Sequence, residues 1–101
     1  MNLGGTIKFL RQQKGFNQKD FARECDITPT YLSQIETNQK EPNLSKLHAI
    51  ASTLNLPLPI LFFLSLTAED INPEKRNAYN MLGPSVKSLI NEFFINAKPN
   101  D

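Results

Sequence analysis

Between positions 18 and 37 the chain reads QKDFARECDITPTYLSQIET, and few folds accommodate that order of residues. Asn17 is a good N-cap for a helix opening at Gln18, whose buried side would carry Phe21, Ala22 and Cys25. Asp26-Ile27-Thr28 then breaks the helical period. Thr28 followed by Pro29 starts a second helix, because the hydroxyl caps free N–H groups and a proline at the first position forfeits no hydrogen bond. Leu32 and Ile35 anchor that helix. Two short helices crossing steeply need a small residue where they touch, which Ala22 supplies. The tight turn needs a residue that tolerates left-handed backbone, and Asp26 does so better than most. Ile27 plugs the corner. Outward on the second helix remain Thr30, Tyr31, Ser33, Gln34 and Thr37, all able to hydrogen-bond and none acidic. Such a face suits insertion beside the base edges of a duplex.

Helical spacing extends on both sides. Leu3, Ile7 and Leu10 mark one face of a helix, with Lys8, Arg11 and Lys14 outside it and Gly15 as its stop. Residues 38–43 are polar and loop-like. Leu44, Leu47, Ala51 and Leu54 outline a fourth helix ending at Asn55, and the apolar run 56–66, with Pro57 and Pro59, holds a short fifth. Strand signals are nearly absent. The spacing therefore predicts an all-α chain with a five-helix domain over 6–66 and an extension over 67–101. Asn72-Pro73 starts one helix of that extension, Gly83 ends it and Pro84 begins another. In the last segment Val86, Leu89, Ile90, Phe93 and Phe94 fall on one apolar stripe. Residues 97–101 read as frayed.

Bulk properties narrow the class without naming a function. Hydrophobic content of 40% and charged content of 21% are ordinary for a soluble globular protein. No apolar run approaches the roughly 20 residues a membrane span needs, and the opening residues lack the basic-then-apolar pattern of a secretory signal. The single cysteine, Cys25, can form neither an internal disulfide nor a metal site alone, so a reducing cytoplasm is expected. The net charge is +1. Residues 1–66 hold seven basic against five acidic side chains, and residues 67–101 hold four against five. The first part is mildly basic, which permits phosphate contact without demanding it.

The residues of 18–37 and their flanks closely resemble the helix-turn-helix family of phage repressors, Cro proteins and related XRE-type bacterial regulators. The resemblance rests on Asn17-Gln18, Phe21-Ala22 and Tyr31-Leu32-Ser33-Gln34-Ile35-Glu36. It continues through Glu41-Pro42-Asn43-Leu44, Leu47, Ala51 and Leu54-Asn55-Leu56 to Leu61-Phe62. It implies a lambda-repressor-like domain of five helices, with the second motif helix in the major groove. It also implies dimers on half-sites about one helical turn apart. Carried over by position, Gln18 matches a phosphate clamp at a helix N-terminus. Thr28, Thr30, Tyr31, Gln34 and Thr37 match positions facing DNA, with Thr30 and Gln34 best placed for base contact. Asn38 and Lys40 match positions on the phosphate backbone. Three departures stand out. Pro29 replaces a polar residue, Thr37 stands where arginine is common, and Asn38 takes a frequent glycine position.

Other side chains point to less. Glu36 reads as structural, capping or pairing locally with Lys40. Cys25 faces inward as a small hydrophobe, and His48 on the outer side of the fourth helix lacks companions for a metal. Glu69, Asp70 and Glu74 read as a solvated helix start. No phosphate loop, nucleophile–base pair or carboxylate dyad appears, so no enzyme activity, cofactor or metal is expected. Ile60 and Phe63 of the fifth helix join Val86, Leu89, Ile90, Phe93 and Phe94 as a dimerisation surface, with folding back onto the domain as the alternative. These features predict a sequence-specific regulator of transcription binding double-stranded DNA as a homodimer, a repressor on an inverted repeat, at the nucleoid when bound. Two other readings use the same residues. One is the antitoxin of a toxin–antitoxin pair, with its C-terminal helices on the toxin; the other is a protein-interaction adaptor that keeps the fold.

Overall fold

Polar caps and left-handed turn residues cut the first two-thirds of the chain into five helices. They are α1 (Leu3–Gln13), α2 (Gln18–Glu24), α3 (Pro29–Glu36), α4 (Leu44–Thr53) and α5 (Leu58–Ser65). A sixth, α6 (Arg76–Ile90), follows single 3₁₀ turns at Ala68–Asp70 and Pro73–Lys75 and opens into a wider turn at Asn91–Ile95. The structure, a computed structural model, describes residues 1–95. The segment 97–101 lies outside the described residues, and no strand occurs among those described.

The helix starts are fixed by side chains. Asn2, Asn17, Thr28 and Asn43 each accept a hydrogen bond from a backbone N–H in the first turn of the helix they precede. The ends of α1 to α4 share one device. Gly15, Asp26, Asn38 and Asn55 all have positive φ. The residue after each donates its N–H back five positions: Phe16 to Arg11, Ile27 to Ala22, Gln39 to Gln34 and Leu56 to Ala51. This is the Schellman closure, which satisfies carbonyls that a helix end leaves unpaired. At three of the four closures the returning residue, Phe16, Ile27 or Leu56, is apolar and turns into the core. The turns therefore end one helix and aim the next.

The core gathers Ile7 and Leu10 of α1, Phe21 and Ala22 of α2, Leu32 and Ile35 of α3, Ile50 and Ala51 of α4 and Leu61 of α5, with Cys25, Leu54 and Leu56. Phe16 packs edge-on against Phe21 with ring centroids 5.4 Å apart. α1 crosses so close to the end of α3 that a Cβ on Gly4 would collide with the Ile35 carbonyl oxygen. Leu44, read from its spacing as a core position, is instead mostly exposed.

The extension differs from its sequence reading. Gly83 does not end a helix and Pro84 does not begin one; both lie inside the continuous α6. Pro84 removes one N–H from the ladder. Because the residue is exposed, the carbonyl one turn earlier can turn to water. The extension is thus one α-helix with short turns at either end. Its apolar residues divide between two faces. Ile90 is buried, and Phe94 and Ile95 pack on the core. The Phe94 carbonyl accepts from Lys14 Nζ at 3.0 Å, and Tyr79 Oη donates to the Leu66 carbonyl at 3.1 Å. Leu82, Val86, Leu89 and Phe93 point outward. Asp70 is more than a solvated acid: it accepts from the Thr67 N–H at 2.8 Å and pairs with the Met1 amine.

Candidate DNA-binding surface

The site begins with two helices held at a fixed angle. Ala22 is fully buried at their crossing, Asp26 takes φ 57° in the turn, and Ile27 packs against the core. Leu32 and Ile35 lock one side of α3 into the interior. The other side is open: Thr30 and Thr37 are exposed, and Ser33 and Gln34 are half-exposed. Tyr31 is half-buried with its ring against the core. Thr28 caps α3 by accepting the Tyr31 N–H at 3.0 Å, and Thr37 Oγ1 donates to the Ser33 carbonyl at 3.0 Å. No charged side chain stands on the open face of α3, whose one acid, Glu36, points inward.

Glu36 does not pair with Lys40. It is buried, and it accepts from Arg11 Nε at 2.7 Å and from a terminal Arg11 nitrogen at 3.2 Å. Arg11, expected on the outside of α1, is buried for the same reason, and it also donates to the Phe16 carbonyl at 2.8 Å. The two side chains are only 6% and 2% exposed. Such a pair survives burial because each partner has hydrogen bonds beyond the ionic contact. Its third member is Gln18, whose Nε2 donates to Glu36 Oε1 at 2.9 Å. One amide hydrogen of Gln18 is thereby committed inward, and the other hydrogen and the oxygen remain at the N-terminus of α2.

The loop after α3 is also tied down. Asn38, at φ 61°, accepts from the Gly4 N–H at 3.0 Å and donates from Nδ2 to Asn2 Oδ1 at 2.9 Å. Its side chain therefore joins α1 to the end of α3. The Gln34 carbonyl accepts from the Gln39 and Lys40 N–H groups, which leaves the Lys40 side chain exposed. Cations that the sequence reading left aside cluster at the other end of α3. Lys19 and Arg23 line a shallow depression with Thr28 and Pro29, and Lys46 Nζ reaches the Asp26 carbonyl at 3.4 Å. Arg23 is paired with Asp20 at 3.1 Å. The available signal was the position of Lys19, one residue after the capped start of α2.

The residues expected to dimerise are spread over three settings. Ile60 packs against the core and Phe63 is half-buried on α5. Ile90 is buried on α6, and Phe94 packs against the core just beyond it. Val86, Leu89 and Phe93 are exposed, with Leu89 at 56% and Phe93 at 73%, and Leu82 extends the same row. Along α6 and into the turn that follows, the row advances by 4, 3 and 4 residues, the spacing that holds a seam toward a partner helix.

Known proteins agree with this geometry. A family model described as helix-turn-helix matches residues 7–61. The chain is 38% identical over 55 residues to the HTH-type transcriptional regulator SutR of Escherichia coli K12, covering 54% of this chain and 31% of that one. It is 28% identical over 80 residues to the immunity repressor protein of Bacillus phage phi105, covering 79% and 53%. With the control protein C.MunI of a Mycoplasma species it shares 33% over 63 residues, covering 61% and 85%. The chain thus spans 31% and 53% of the lengths of the first two. No solved structure matches.

Proposed function

Because the chain belongs to the helix-turn-helix family, we propose that it is a transcriptional repressor that reads double-stranded DNA through α3 and binds an inverted repeat as a homodimer. The observation that carries this reading is the open side of α3. It presents uncharged hydrogen-bonding side chains from a helix whose opposite side is fixed in the core. Thr30 and Gln34 contact base edges, where an amide can donate and accept together. Gln18, Thr28 and Lys40 hold phosphates, joined by Lys19 at the rim; Tyr31 and Thr37 flank the groove. Asn38 contributes by fixing the loop, since its side chain is spent on Gly4 and Asn2.

With no cation on the open face of α3 and only Lys19, Arg23, Lys40 and Lys46 at its ends, affinity falls with salt along a modest slope. A dimer compensates by making two groove insertions at once. The seam is the outward row Leu82, Val86 and Leu89 of α6, continued by Phe93 in the turn after it. Ile90 and Phe94 hold the helix against the domain, and Ile60 and Phe63 play a lesser part. Selection of bound duplexes from a random pool, with a mass measurement of the free chain, tests the proposal. A two-fold symmetric site with half-site centres about 10 base pairs apart, and a mass of two chains, are the expected results. Equal retention of all sequences would overturn it.

A further inference from the structure

A furrow of about 540 Å³ runs between the first turns of α1 and the back of α6, within the roughly 300–1,000 Å³ that small-molecule sites occupy. Phe9, Leu64 and Ile95 give it apolar walls, and Thr6, Lys87 and Asn91 give it a polar rim. Two of these side chains give the furrow its character. Phe9 is more than half exposed, a large ring left against water. Lys87, exposed on α6, brings a cation to the rim of the furrow. An apolar wall with a cation and neighbouring amide and hydroxyl groups at its rim is complementary to an anion with an apolar body.

The furrow also touches both working parts of the molecule. Asn2 lines it, and Asn2 Oδ1 accepts from Asn38, the residue that closes α3. At 100° per residue, Lys87 lies on the side of α6 opposite the outward Leu82, Val86 and Leu89, and Asn91 follows in the wider turn. An occupant is therefore one hydrogen bond from the loop after α3 and one helix thickness from the outward row. It can bias the spacing of α6 from the domain.

We propose that this furrow binds a small amphipathic carboxylate, of the size of a medium-chain acyl or aryl acid, as an effector of DNA binding. The carboxylate sits on Lys87 Nζ and the Asn91 amide, and the tail lies along Phe9, Leu64 and Ile95. The site itself stands on its own geometry; only the effect on DNA rests on the function proposed above. The test titrates the isotope-labelled full chain with sodium decanoate, and separately with decanol as an uncharged match. Saturable amide shifts at Thr6, Phe9 and Asn91 are expected, with decanoate at least tenfold tighter than decanol. Lys87→Met, an exposed position, should erase that preference while leaving the fold unchanged. Equal affinity for the alcohol, absence of saturation, or shifts centred on Leu82, Val86 and Phe93 would each overturn the site. Decanoate should then change affinity for a selected duplex at least threefold in the parent chain and leave the Lys87→Met variant unaffected. Binding in the furrow with unchanged DNA affinity would overturn the effector role. A chain that takes decanoate yet shows no duplex preference would refute the DNA reading alone.

Discussion

Replacing Glu36 with alanine strips the buried Arg11 guanidinium of two of its three hydrogen bonds, leaving only the Phe16 carbonyl. It also frees Gln18 Nε2. Removing one member of a buried ion pair costs about 3–5 kcal/mol, because the remaining charge stays desolvated without a partner. A domain of this size is stable by about 5–15 kcal/mol in all, so Glu36→Ala removes a large share of that. With a urea slope of about 1–3 kcal/mol per molar, the unfolding midpoint followed by far-UV circular dichroism should fall by about 2 M at constant slope. The paired change Arg11→Met with Glu36→Leu removes both charges and fills the same space. It should return the midpoint most of the way, since apolar replacements of buried pairs are often neutral or better. Raising sodium chloride to 1 M should not erase the deficit of the single variant, because buried charges are weakly screened. A single variant within 0.5 M of the parent midpoint, on the scale of that urea slope, or a double variant no better than the single, would refute this account of the network.

Three further outcomes follow from positions elsewhere. Asp26→Gly should raise stability by about 0.5–1 kcal/mol in thermal unfolding, because glycine carries no penalty at φ 57°; a loss would show that the aspartate side chain holds the turn. Gly4→Ala should destabilise the chain by more than about 1 kcal/mol and weaken duplex binding, since its Cβ would push α1 from the end of α3. A neutral result would contradict that close approach. Burial raises the Cys25 thiol above its usual value, a hydrogen bond from Thr53 opposes this in part, and the nearby Glu24 charge adds to the rise. The folded state therefore favours the protonated thiol. This contribution is complete below about pH 8.5, the ordinary thiol value, and is lost as pH rises past it. Iodoacetamide at pH 8 should modify Cys25 no faster than the chain unfolds, and faster modification would show an accessible thiol.

Most of the helical frame could be read locally. Asn17, Thr28, Gly15, Asp26 and Asn55 act on backbone groups within a few residues, so their roles are visible in short stretches of sequence. Arg11 and Glu36 were misplaced because their partnership spans 25 residues, and a charged side chain is expected outside until a partner is known. Asn38 was legible as a left-handed turn residue, but its bonds to Gly4 and Asn2 depend on how α1 crosses α3. Gly83-Pro84 reads as a break by propensity, since an interior proline loses a ladder bond and crowds the preceding turn, yet α6 continues through it. The stripe 86–94 was visible as apolar. Its division into Ile90 and Phe94 inward, and Val86, Leu89 and Phe93 outward, depends on how α6 meets the domain.

Sequence reading by α3 is what Gln34→Ala probes. Gln34 is half-exposed and no side-chain hydrogen bond ties it to the core among the described residues, so the fold should survive its truncation. Binding of parent and variant is compared on the selected duplex, on duplexes substituted one base pair at a time, and on random duplex, all at one salt concentration. The variant should bind random duplex as the parent does. It should lose about 1–3 kcal/mol on the selected site and cease to discriminate at one base pair in each half-site. A variant that keeps full discrimination at every position would contradict sequence reading by α3.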